Sequence, residues 1–187
     1  METEYIYKGY KISIGYDQWA ESPEEWGNYT IKEWRDVEGI DADERTVSDE
    51  LAKKLDDGRA FWVDKYEHSG SSYTLMGEGM NDRWDTTQQW GIIEFTDEYA
   101  TNFDDYEGRK EMARGDLRDY TAYANGEVYQ SYIYEVNPHT GENIEQIDGS
   151  GGFFSYDEAK QQAEDTIDSY EPPRSSKYAK KAQEVHA

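Results

Sequence analysis

Three histidines and 42 carboxylates, with no cysteine, are the groups that could do chemistry in this chain of 187 residues. His68 lies in "YEHSGSS", flanked by the hydroxyls of Ser69 and Ser71. A serine becomes a nucleophile when an imidazole sits within hydrogen-bond reach and a third group orients that imidazole. Adjacency in sequence does not supply such geometry, and polar residues are ordinary in a turn between strands. His139 falls in the turn "NPHTG" and His186 is the penultimate residue. With 42 acids, a carboxylate pair for general acid–base work turns up anywhere, so finding one decides nothing.

Metal ligation has one candidate, Asp36, Glu38, Asp41 and Asp43 in "DVEGIDADE". The spacing is close to that of a calcium loop, but the central glycine and the closing bidentate glutamate of an EF-hand are not where they are needed. "DGSGG" is too short for a phosphate-binding loop and lacks its lysine. The absence of cysteine excludes disulfides, thiolate metal sites and cysteine nucleophiles, and it fits a reducing cytoplasm. The expectation is a non-enzymatic protein with no catalytic residue, no cofactor and no metal, and a hydrolase using His68 ranks only third among the readings.

What remains is charge. The formal net charge is −23, from 42 acids against 19 bases. The stretch "TDEYATNFDDYEGR" concentrates Asp97, Glu98, Asp104, Asp105 and Glu107, with Arg109 as its base. A second set, Asp157, Glu158, Glu164, Asp165 and Asp168, falls off the apolar stripe of a helical segment. Carboxylates three or four apart on a helix stand about 5–6 Å from one another. Such an array is comparable with the phosphates of duplex DNA, which carries one charge per ~1.7 Å of axis. These ten acids are the candidate partner-binding residues, and the implied partner is a basic, nucleic-acid-binding host protein or defence complex. Nucleic acid itself is repelled at this charge. Adaptation to high salt is the alternative, because molar salt shortens the screening length to ~3 Å. Lysine is not scarce here, with 11 Lys to 8 Arg, which leans against it.

The elements that must position these acids are legible. Only 35% of residues are hydrophobic but 15% are aromatic, including 17 Tyr and 6 Trp, so the chain folds around amphipathic rings. Strands 5–16 form a hairpin about Lys8-Gly9, and 127–148 form a second about "NPHTG". A short strand is expected at 29–35, and a helix carries Val47, Leu51 and Leu55 up to Gly58. "RAFWVDKYEH" and "SSYTLMG" pair, and "QQWGIIEF" is the central strand. Thr96 caps an acidic turn. A helix then runs from about Arg109 to Ala124, burying Ala113, Leu117, Tyr120 and Ala124, with Gly115 weakening it. After a flexible "GSGG", a Ser155–Glu158 capping box opens a helix striped by Tyr156, Ala159, Ala163, Ile167 and Tyr170, which Pro172-Pro173 ends.

The expected class is α+β, a mainly antiparallel sheet of hairpins with three to four helices packed on it. Residues 1–171 read as one acidic domain, with 29–59 a candidate inserted lobe. Residues 172–187 read as a basic tail, holding Arg174, Lys177, Lys180 and Lys181 against Glu184 alone. The start of the chain has no apolar signal region, and no segment reaches the ~20 apolar residues of a membrane span.

The pieces "YKGYKISIGYD", "YEHSG", "WDTTQQWGIIEFT", "YANGEVYQSYIYE" and "IDGSGGFF" follow one another along the chain. In that order they resemble a group of uncharacterised small acidic proteins of phages and mobile elements; residues 29–59 fit the group poorly. The group brings no site residues. It implies a context, the disabling of host defence in the host cytoplasm. In strategy, not in motif, the acidity is similar to that of DNA-mimicking antirestriction and anti-CRISPR proteins.

Overall fold

The computed structural model describes residues 2–41, 43, 46–80 and 82–170. The basic tail 172–187, with Pro172-Pro173 and His186, lies outside the described residues. In chain order the strands are β1 (Thr3–Tyr7), β2 (Tyr10–Tyr16), β3 (Tyr29–Glu33), β4 (Ile40–Asp41), β5 (Thr46–Val47), β6 (Ala60–Glu67), β7 (Ser71–Leu75), β8 (Thr86–Phe95), β9 (Tyr129–Val136) and β10 (Asn143–Phe153). The helices are α1 (Asp49–Asp56), α2 (Asp97–Ala100), α3 (Tyr106–Ala124) and α4 (Tyr156–Asp168). The fold is α+β with antiparallel strand pairing throughout. Among the described residues, no helix is long and apolar enough to cross a membrane.

The described chain forms two compact units, residues 2–20 with 126–170, and residues 21–125. In the first, the sheet order is β1-β2-β9-β10. Lys8 and Gly9 have φ of 47° and 85°, the positive pair that a two-residue I′ hairpin turn needs. That turn sets the register Tyr7↔Tyr10, which puts Ile12, Ile14 and Ile133 on the face that α4 covers with Ala159, Ala163 and Ile167. Ser155 caps α4 by accepting the Glu158 N–H at 3.2 Å, as the capping box predicts.

In the second unit the order is β3-β8-β6-β7. The consecutive isoleucines of β8 point to opposite faces. Ile93 joins Phe61, Val63, Ala113 and Leu117, while Ile92 joins Val37, Leu51 and Ala60. A strand buried on both sides needs adjacent apolar residues, and this is why Ile92 and Ile93 lie inside the sheet. Residues 29–59 are woven into this unit, since β3 pairs with β8 and α1 packs on β6.

Four local expectations change. Val47, expected on the helical face with Leu51 and Leu55, lies before the Ser48 cap in β5 and is exposed. The long helix α3 begins at Tyr106, three residues before Arg109, because Asp105 caps it by accepting the Gly108 N–H at 2.7 Å. Ala124 is exposed in its last turn and not part of the buried stripe. "GSGG" is strand, not a flexible joint. A Cβ on Gly149 would come 2.7 Å from the Tyr132 ring, and one on Gly151 would come 2.5 Å from Asp17 Oδ2. These glycines admit close neighbours.

Candidate partner-binding surface

The first acidic set occupies the α2–α3 corner of the 21–125 unit, and its positions follow from helix capping. Thr96 caps α2 through the Tyr99 N–H, placing Asp97 and Glu98 in its first turn. Asp105 caps α3 and Glu107 lies in its first turn. Anionic side chains at helix N-termini meet unpaired N–H groups and the positive end of the dipole, each contributing typically about 0.3–1 kcal/mol. The repulsion within the stretch is therefore partly offset by the helices it starts.

Asp97, Glu98, Asp104, Asp105 and Glu107 are all exposed. Asp97 pairs with Arg59 at 3.0 Å, and Arg59 is also held by Asp57. The other four have no ion-pair partner among the described residues. Arg109, the base that closes the stretch, is turned to the backbone, donating to the Ala100 carbonyl at 3.0 Å and the Asp57 carbonyl at 2.7 Å. Phe103 and Tyr106 lie within the same stretch and are exposed, and Tyr106 sets its ring edge-on to Phe61.

The second set lies on α4 of the other unit and is more engaged. Asp157 and Glu158 stand in the first turn, without an ion pair among the described residues. Glu164 accepts the Tyr5 hydroxyl at 3.1 Å and Asp165 accepts the Gln161 amide at 2.8 Å. Asp168 pairs with Lys8 at 2.6 Å, which holds its carboxyl below the usual range. Two acidic surfaces therefore exist, one on each unit.

His68 Nδ1 lies 3.0 Å from Asp85 Oδ2, and the ring stacks on Tyr66. An orienting carboxylate is thus present, which the sequence did not reveal across 17 residues. Ser69 donates its hydroxyl to the His68 carbonyl at 2.6 Å, and Ser71 is tied through its backbone to the Asn125 amide. Asp41 accepts the Asp43 N–H in a local turn, and among the described residues no three His, Asp or Glu side chains gather to hold a metal ion.

One acid of α3 is largely withdrawn from solvent. Asp116 on α3 accepts the Tyr99 hydroxyl at 3.0 Å, and its backbone carbonyl lies 3.5 Å from the Tyr29 hydroxyl. Burial, with Asp119 nearby, pushes its carboxyl up to about 6 in spite of the Tyr99 hydrogen bond. A carboxyl raised in the folded state adds stability that is complete below its unfolded value near 3.8 and is lost as pH rises through about 6. Asp116→Asn keeps an acceptor for Tyr99 and should stabilise the protein at pH 7.5 by about 1–2 kcal/mol, allowing for screening, with no gain at pH 4. Urea unfolding at the two pH values checks this, and an equal effect at both would refute the assignment.

Comparison of the chain with protein-family models, with curated proteins and with solved structures returns no match. The functional conclusion therefore rests on the chain's own surfaces.

Proposed function

We propose that the protein is a non-enzymatic inhibitor, of phage or mobile-element origin, of a DNA- or RNA-handling host defence protein. It acts by presenting a DNA-like acidic surface to that protein's basic cleft. The observation that carries this reading is the α2–α3 corner. Four exposed carboxylates without a base partner among the described residues stand there with Phe103 and Tyr106, while Arg109 is engaged by backbone carbonyls. DNA-binding proteins gain much of their affinity by neutralising phosphate charge, and an array of fixed carboxylates offers them the same gain. The flanking rings add the apolar contact that interfaces favour.

The test is retention of host proteins on the immobilised chain. A nucleic-acid-binding protein should be held at low salt, released by high salt, and displaced by duplex DNA; His68→Ala should retain it equally. Retained proteins that duplex DNA leaves in place would defeat the mimicry.

Acids spread over both units favour a second reading, adaptation to high salt. The two part at ordinary ionic strength, where the Debye length is about 8 Å. Cooperative thermal unfolding at ~0.15 M salt is expected from the inhibitor. A chain that folds only in molar KCl belongs to a saline cytoplasm.

A further inference from the structure

Among the described residues of the β7–β8 crossover, 76–80 and 82–85, three apolar side chains are exposed. Trp84 is 85% exposed, Met80 67% and Met76 49%. Single exposed apolar residues are ordinary on protein surfaces, Trp19 at 88% among them, so what marks Trp84 is the loop that holds it. Arg83 lies over the indole at 5.5 Å, which leaves the ring still accessible.

The loop that carries them is held from three sides. Asp64, 6% exposed in the middle of β6, accepts the Gly77 N–H at 2.8 Å through Oδ2 and the Gln89 N–H at 2.7 Å through Oδ1. One buried carboxylate thus ties the start of the crossover to the interior of β8. Glu78 is gripped by Arg114 of α3 at 2.7 and 2.8 Å and by Lys110 at 3.1 Å. Those two bases hold its carboxyl down to about 2. Asp82 accepts the Trp84 N–H at 2.8 Å, and Thr86 Oγ1 donates to the Met80 carbonyl at 2.9 Å. Asp85, next to the indole, is fixed in turn by His68.

Immobilising a loop costs conformational entropy, and an exposed indole on a fixed loop has already met that cost before any partner arrives. Interface hot spots are enriched in tryptophan seated in a pocket of the partner. The choice of occupant follows from charge. A second copy of a chain carrying −23 is repelled, as is nucleic acid, whereas a positively charged protein is attracted. We propose that Trp84, carried on the same crossover as Met80 and Met76, is the apolar anchor of a protein-docking surface that enters a pocket on the same cationic partner the acidic corner engages. This rests on the inhibitor reading and adds an interaction that charge alone does not provide.

The probe is the host protein that duplex DNA displaces from the immobilised chain, with a poly-arginine peptide as a charge-only control. Trp84→Ala, and separately Met80→Ser, should weaken binding of that protein, Trp84→Ala by at least about 30-fold, the range of a hot spot. The loss should persist as salt is raised, because it is not a charge effect. Poly-arginine should bind both variants as it binds the parent. The residues are exposed, so melting temperatures should not move, and this separates a missing anchor from a damaged fold. Tryptophan emission of the parent should shift to the blue on binding, and the Trp84→Ala variant should lack most of that shift. If the DNA-displaced protein binds Trp84→Ala as tightly as the parent, the anchor is wrong and the acidic surface stands alone. If no retained protein is displaced by DNA, the inhibitor reading falls and the anchor with it.

Discussion

Replacing Asp97, Glu98, Asp104, Asp105 and Glu107 together by Asn or Gln should weaken partner binding by about 3 kcal/mol, on the order of 100-fold, with little change in melting temperature. Each exposed carboxylate alone is worth about 0–1 kcal/mol, so single substitutions should be nearly silent. The effect is collective because the partner's cleft reads the summed field. Stability should hold for a local reason at each position. Asparagine is as good an N-cap as aspartate, so Asp105→Asn still accepts the Gly108 N–H. At Asp97, Glu98 and Glu107 the favourable interaction with the helix dipole disappears, and at Asp97 an exposed ion pair with Arg59, which Asp57 still holds; relief of the repulsion among these acids offsets both. The salt dependence of the residual binding should flatten, since fewer counter-charges are exchanged. Neutralising Asp157, Glu158, Glu164, Asp165 and Asp168 should have the smaller effect on binding, because Glu164 and Asp168 already serve Tyr5 and Lys8. Affinity of both sets equal to the parent, measured by titration calorimetry at low salt, would reduce the acids to solubility.

The features legible in the sequence are those set by neighbours along the chain. Lys8-Gly9 announced its hairpin because a two-residue turn depends on its own φ angles. Ser155 announced α4 because the cap and the N–H it accepts are three residues apart. The two-sided burial of Ile92 and Ile93 was written in their adjacency. What stayed hidden was held by partners distant in sequence. Asp64 looks like a polar position of an alternating strand, yet it fastens Gly77 and Gln89, and only the fold brings these together. The anchoring of Gly77, at the start of the loop that leads to Trp84, depends on that unseen bond. The acidic corner was half legible. Its charge was plain, but Asp105 had two roles, and its reading as one acid among many concealed the cap that starts α3. Arg109, counted as a counter-charge, is a backbone donor instead.

Two glycine-to-alanine substitutions in the 21–125 unit should act with opposite sign, and the first should be the most damaging single change in the protein. Gly91 sits in β8 between Glu33 of β3 and Val63 of β6. A Cβ there would lie 2.2 Å from the Lys32 carbonyl oxygen and 3.0 Å from its carbon. Both are backbone atoms of a paired strand, so no side chain can swing aside to make room. Gly91→Ala must push β3 off β8, breaking ladder hydrogen bonds and uncovering Tyr29 and Ile31, both in the core. The expected loss is about 3–5 kcal/mol, in the exceptional range for one substitution and a large share of the ~5–15 kcal/mol that holds a domain folded. In melting temperature that is a fall of about 10 °C or more. Gly115 lies inside α3, where the nearest atom to an added Cβ is the end of the Arg118 side chain, 3.9 Å away. With no clash to meet, Gly115→Ala gains helix propensity and should stabilise by about 0.5–1 kcal/mol. The pair separates two demands on the same residue type, close approach in β8 and mere tolerance in α3. Thermal melts of the two variants decide it: a Gly91→Ala protein as stable as the parent would mean that β3 does not lie hydrogen-bonded against β8.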